Sequence, residues 1–396
     1  MTRTLATTVA LVALLIARPG AQTPAEWQDV IRNLRHPKAE TRLSALDRLN
    51  QAGYLAAAEA VAPLIGDPDD RVQLAAIDTE LTFFLADEIG GSRKNRALLA
   101  FEAGPLVRST VRAPDVVIDR LITGMRDENA LVRFDAIHAL GVIGEAPLTA
   151  SQVKALAAEL DHYDPTMRAA TARVLGRLNA RDAADQLAVA LVDSSPVVRL
   201  CATEALGLLH DTRSAGQLRD QLAKARGDMV GATLLALARI GSPDDIGLFR
   251  QRLTDRAPIV RRAAAEGLGR AGDAGAVALL TPLLKNDRAD EVRLAAAFGL
   301  QRLGQTQSHV IAWMLGDERT SAQARDYLIE LGPVAAPGIE QAFKAAKDSR
   351  QRAALVRVLG MVGTSDAMTS IEPLLKDPDD RVRQAATWSM ARLRRG

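Results

Sequence analysis

The sequence predicts an all-α solenoid of about twelve stacked two-helix units. Three observations carry this. The segment Asp-Pro-Asp-Asp-Arg-Val occurs twice, at 67–72 and at 377–382. A Val-Arg-type pair returns at intervals near 31 residues between and around those copies. Inside each copy the apolar residues keep helical spacing.

Composition agrees. The chain has 396 residues, of which 48% are hydrophobic and 25% charged, enough to bury a core. Only seven Phe, three Trp and three Tyr are present. A core of Ala and Leu suits close helix packing and is poor sheet material. The net charge of +2, from 50 basic and 48 acidic residues, argues against a nucleic-acid binder, which usually shows a clear basic excess. The lone Cys201 excludes an intrachain disulfide and reads as a small buried residue, with a reactive thiol as the alternative.

In chain order, the N-terminus comes first. Arg3 precedes an uncharged, mostly apolar stretch from Leu5 to Ala17, and Pro19-Gly20-Ala21 then break the run. This is the layout of a secretory signal peptide over residues 1–21, with residues 22–396 as the solenoid. The expected location is periplasmic or extracellular; an uncleaved membrane anchor is the alternative. The stretch is short for a membrane span, and no other stretch approaches 18 consecutive apolar residues.

The repeat follows. With the residue after Val as the anchor, the anchors are Arg42, Gln73, Arg133, Arg168, Arg199, Val230, Arg261, Arg293, Ser321, Arg352 and Arg383. Positions −1, +3, +7 and +10 from the anchor are mostly apolar, as in Val198, Ala202, Leu206 and Leu209, and share one helical face. A turn and a second apolar-periodic run complete each unit, for example Ala276 to Leu284. Two short helices cannot bury their faces alone, so neighbours must stack. The 60-residue interval between Gln73 and Arg133 reads as two periods with one anchor missing. It contains 83–113, where Gly90-Gly91-Ser92 breaks the pattern: a degenerate, stretched repeat, or a functional insertion.

The pattern Asp-x5-Arg-x2-Ala-x3-Leu-Gly resembles the HEAT repeat, particularly its short, phycobilisome-lyase-type form, over nearly all of residues 28–396. The resemblance implies a right-handed superhelix whose Val-Arg helices line the concave side. It also implies a ladder between repeats made by the anchor Arg and the preceding Asp. Candidate ladder residues are Asp127 and Arg133, Asp193 and Arg199, Asp255 and Arg261, Asp287 and Arg293, and Asp377 and Arg383, with gaps at Gln73, Val230 and Ser321.

Catalytic chemistry has no visible constellation. His36, His138, His162, His210 and His309 are none of them followed by Glu, and HExxH, CxxC, GxxxxGK[ST] and GxSxG are missing. No catalytic residue, metal ligand or cofactor is therefore assigned. Asp67-Pro68-Asp69-Asp70 reads as a helix start, with Asp at the N-cap, Pro at the first helical position and acids in the first turn, rather than a calcium site. Arginines recur at +9 (Arg177, Arg239, Arg270, Arg302, Arg392), but acids at +5 offset them, so the face reads as mixed-charge and solvated.

A binding surface should lie where the units disagree. The +5 column is the most variable. It nominates His138, Arg173, Glu204, Glu266, Phe298, Arg357 and Trp388 as partner-facing, with Phe298 and Trp388 as aromatic anchors and His138 exposed. The function expected is a non-enzymatic scaffold binding a protein or peptide along the concave face. The alternative is a lyase- or isomerase-like protein holding a cofactor or small substrate there.

Overall fold

The computed structural model describes residues 25–85, 93–104, 111–144 and 148–394. The expected signal peptide at 1–21 lies outside them, as do parts of the 83–113 break. The regular structure is helical and forms an α-solenoid of hairpins. In a typical unit a short 3-10 turn leads into a first helix, such as Ala184–Ala190. A turn then leads to a longer second helix, such as Pro196–Leu208. The second helices pack on one another in series, and their +3 alanines (Ala45, Ala76, Ala136, Ala202) and +7 leucines are buried. Small residues let the backbones approach. A Cβ on Gly176 would come within 2.8 Å of the Cα of Ala205 in the next unit, and one on Gly207 within 2.7 Å of the Cα of Ala236.

The two Asp-Pro-Asp-Asp-Arg-Val copies do the same work. Asp69 and Asp379 are the N-caps, accepting from the amides of Arg71 and Arg381 at 2.9 Å each. The cap is thus the second Asp, and Pro68 lies ahead of the helix Asp70–Phe84 rather than inside it. The first Asp has another task. Asp67 accepts from the amide of Asp69 and from Arg42 of the preceding unit at 2.7 Å; Asp377 accepts from the amide of Asp379 and from Arg352 at 2.7 Å.

That task defines the ladder and corrects its pairing. Each rung joins an anchor to the Asp of the next unit, while the anchor's remaining N–H groups hold its own turn. Arg168 grips Asp193 through two bonds of 2.8 Å and donates to the carbonyls of His162 and Tyr163. Arg261 grips Asp287 through two bonds of 2.8 Å and donates to the carbonyls of Asp255 and Arg256. Where the next unit lacks an Asp at −6, the rung is missing. Arg199 faces a unit with Lys224 there, and Arg293 one with Leu315. Arg199 binds the carbonyls of Asp193 and Ser194, and Arg293 turns to Asp290. Arg133, facing His162, bonds the Tyr163 hydroxyl at 3.2 Å instead. Asp255 follows Val230 and receives no anchor, and Arg383, in the last unit, holds the carbonyls of Asp377 and Pro378 and pairs with Asp380. The difference is measurable. Asp287→Ala strands the half-buried Arg261, whereas Asp255→Ala removes a turn acceptor for Ala257 and a 3.4 Å contact with Arg252. Asp287→Ala is expected to cost about 1–3 kcal/mol more in urea unfolding than Asp255→Ala.

The same ladder shows what fills the 60-residue interval. Gln73 donates to Asp127 at 2.7 Å, a rung with Gln in place of Arg, and Asn129 donates to Asp70 at 2.7 Å. The helices Asp70–Phe84 and Ala130–Ile143 pack directly together. The units anchored at 73 and 133 are therefore neighbours in the stack, so the interval is not two periods. Among the described residues, eleven anchor-bearing hairpins stack, and the helix Arg93–Ala103, which carries no anchor, is an insertion outside the ladder.

Candidate functional site on the inner face

The described part of that insertion is the helix Arg93–Ala103. Ala97, Ala100, Phe101 and Gly104 recur at i, i+3, i+4 and i+7 and form its buried side, while Leu98 and Leu99 remain exposed. This side lies on the second helices of the solenoid. Arg96 pairs with Asp78 at 2.7 Å and bonds the Thr82 hydroxyl at 2.9 Å. The Phe101 ring enters the space over Gly141, where a Cβ would stand 2.4 Å from the ring. The guanidinium groups of Arg173 and Arg177 sit 4.8 and 4.3 Å from its centroid, and the His138 ring 5.7 Å away. Arg177 also donates to the Phe101 carbonyl, and Arg173 pairs with Glu102 at 2.6 Å. Gly104 rests against Arg325, more than 200 positions along the chain: a Cβ there would lie 3.3 Å from Nη2. Its φ of +88° is one glycine adopts without strain.

The surface occupied is the inner side of the bend. Alternate units touch there: Arg270 of the unit anchored at Arg261 reaches Glu330, and Tyr327 reaches Glu266, each across the intervening unit that carries Phe298. Only the inside of a curved stack brings alternate units into contact.

Three of the partner-facing candidates are overturned by burial. Glu266, Phe298 and Trp388 are buried, with exposures of 1%, 0% and 8%. Glu266 accepts from Arg262 at 2.9 Å, from Arg270 at 2.7 Å and from the Tyr327 hydroxyl. Burial opposes its ionisation, but the charges of Arg270 and Arg262 win and hold the carboxyl well below its usual range. Arg270 then pairs with Glu330 through bonds of 2.8 and 2.7 Å, its guanidinium 4.7 Å from the Phe298 ring. Phe298 stacks on Tyr327 at 4.2 Å. Trp388 lies under Arg357 and Arg392, at 5.7 and 5.9 Å. Of the +9 arginines, Arg177, Arg270 and Arg392 thus serve intrachain contacts.

The remaining candidates divide. His138 is half-buried under the insertion helix rather than exposed, and burial lowers its pKa. Arg173 is half-buried in the same contact, and Arg357 is half-buried over Trp388. Glu204 is exposed, beside the half-exposed Leu235 and Arg239 and the exposed Leu208. This stretch, between the insertion helix and the Glu266 cluster, is open inner face. Cys201 next to it is buried, and burial pushes its thiol up to about 11, so it is a packing residue and no reactive thiolate.

Several residues here escaped the reading of the sequence. Arg96, Phe101 and Glu102 carried an amphipathic signal, but nothing local states where that helix docks. Asp135 is buried near Asp78; burial first, then the Asp78 charge, raises its carboxyl to about 7. Glu80 had a readable signal. At +7 the other units carry Leu or, in the last, Met390, and only here does an acid stand in that core position. It is fully buried, and neither carboxylate oxygen has a hydrogen-bond partner.

A family model for HEAT repeats matches residues 153–238, 230–301 and 336–395. Among solved structures, an engineered protein is similar at 19% identity and a TM-score of 0.43, covering 93% of this chain and 99% of that one. The complex of CpcE and CpcF of phycocyanin lyase from Nostoc sp. PCC7120 is similar at 21% identity and a TM-score of 0.39, covering 72% and 97%. Human deoxyhypusine hydroxylase is similar at 17% identity and a TM-score of 0.30, covering 76% and 99%. No curated protein matches the chain in sequence. Among the described residues no helix is long and apolar enough to cross a membrane.

Proposed function

Because the chain belongs to the HEAT-repeat family, we propose that it is a non-enzymatic scaffold that engages a protein or peptide along its inner face. We further propose that it does so outside the cytoplasm, after export directed by residues 1–21. The observation that carries the binding reading is the seat of the helix Arg93–Ala103. The inner face holds an amphipathic helix by one ion pair at Asp78, an aromatic socket over Gly141 and a second ion pair at Arg173. Those are the elements by which helix-in-groove recognition works: anchors at helical spacing for affinity, charges for register. The open stretch around Glu204, Leu208, Leu235 and Arg239 extends the same surface.

Site-specific photo-cross-linking tests this. Benzoylphenylalanine at 204 or 235 is expected to give a discrete protein adduct in cells of the source, and the same group at the outer position 192 is not. Arg173→Glu together with Arg239→Glu should remove the adduct. A purified protein carrying a coloured or small-molecule ligand, with no protein adduct, would instead favour a lyase- or isomerase-like role. N-terminal sequencing of the mature chain, expected to begin near residue 22, checks export.

A further inference from the structure

We propose that the helix Arg93–Ala103 is a built-in competitor: it occupies the seat of the partner, and that partner is an amphipathic helix presenting the same side. This rests on the scaffold reading above and names its ligand class and its regulation. The pattern required is a basic residue, Ala one and four positions after it, an aromatic at five and an acid at six. Each element answers to a feature of the seat. The base meets Asp78. The small residues correspond to Ala97 and Ala100, both almost fully buried in the contact. The aromatic enters over Gly141 between Arg173, Arg177 and His138, and the acid meets Arg173.

Three features mark the helix as an occupant rather than a repeat. The ladder closes beneath it through Gln73 and Asp127, so the stack is continuous without it. It is gripped on one side only, with Leu98 and Leu99 exposed on the other. Its contacts also reach past the adjoining units, from Asp78 and Gly141 to Arg325, more than 200 positions along the chain. A tethered occupant acts at a high effective concentration, so it sets a threshold that a partner must exceed.

The probe is a fluorescein-labelled, end-blocked peptide of sequence RKNRALLAFEAG, residues 93–104. By anisotropy it should bind full-length Arg96→Asp/Phe101→Asp protein at least tenfold more tightly than wild type. Adding Arg173→Glu and Arg177→Glu should remove that binding. Equal binding to both proteins, or none to a double variant with native circular dichroism, overturns the proposal. Hydrogen exchange on the unmodified protein supplies a measurement free of folding artefacts. Amides of 97–103 should exchange at least tenfold faster than those of 133–143; equal protection would make the helix a fixed structural element and also overturn the proposal. If the peptide fails while the inner-face cross-links persist, the competitor alone is lost. If both fail, the scaffold reading falls as well.

Discussion

Glu266→Ala is expected to destabilise the units around it by about 3–5 kcal/mol. The carboxylate is the common acceptor for Arg262, Arg270 and Tyr327. Removing it leaves Arg270 with Glu330 as its one remaining carboxylate partner and takes from the buried Tyr327 hydroxyl its acceptor, leaving only the bond it receives from Gln323. Tyr327→Phe keeps the stack on Phe298 and the two arginine pairs and should cost only about 1–2 kcal/mol. Stability in a solenoid is a sum of unit and interface contributions, so the loss should be local. Hydrogen exchange should show it in the helices Pro258–Arg270, Asp290–Arg302 and Ser321–Leu331, and leave Ala39–Ala52 unchanged. Screening by salt should matter little, because the cluster is out of water. A uniform loss of protection, or a cost below about 1 kcal/mol, would remove the cluster's role as the clamp between alternate units.

Glu80→Leu should have the opposite sign. Glu80 stands where the neighbouring units place Leu49 and Leu140, fully buried and without a hydrogen bond. Burying an unsatisfied polar group costs about 1–3 kcal/mol even when it is neutral, so leucine should stabilise by at least that much. The effect depends on pH. Burial raises the Glu80 pKa well above its ordinary 4.5, so the folded protein keeps a proton that the unfolded chain gives up near that value. Above pH 4.5 the unfolded state therefore binds fewer protons than the folded one at this site, and stability falls as the pH rises. It goes on falling until the folded-state pKa is passed. The gain from Glu80→Leu should accordingly be smallest near pH 4 and grow as the pH rises above 4.5, with a limiting slope of roughly 1.4 kcal/mol per pH unit while the folded carboxyl keeps its proton. Urea melts of both proteins at pH 4, 6 and 8 read this directly. A gain that does not change with pH would show that Glu80 is hydrated or paired in solution.

How much of this was legible beforehand follows the range of each interaction. The hairpin, its period and the Asp and Arg of the ladder depend on contacts within a unit or between adjacent units, and they recur in the sequence for that reason; the caps were placed one Asp too early, at Asp67 and Asp377 rather than Asp69 and Asp379. Even the rung failures at Arg199 and Arg293 were readable from Lys224 and Leu315, once the rung is known to run forward to the next unit. Glu80 was likewise visible as the one acid in a column of leucines.

The sequence by itself thus determined a helical solenoid and its register, while the gap it placed at Gln73 is closed by a rung to Asp127. It also determined that 83–113 departs from that register. Tertiary structure alone decided that the departing segment sends a helix back along the inner face. It alone decided that Glu266, Phe298 and Trp388 are covered there rather than offered to a partner. The physical reason is curvature. A position such as +5 points to the inner side in every unit, but whether it meets water, a side chain 60 residues away or an inserted helix depends on how tightly the stack bends at that place. No residue within a single unit encodes that bend. It is the sum of the small inter-unit rotations, set by many packing contacts at once.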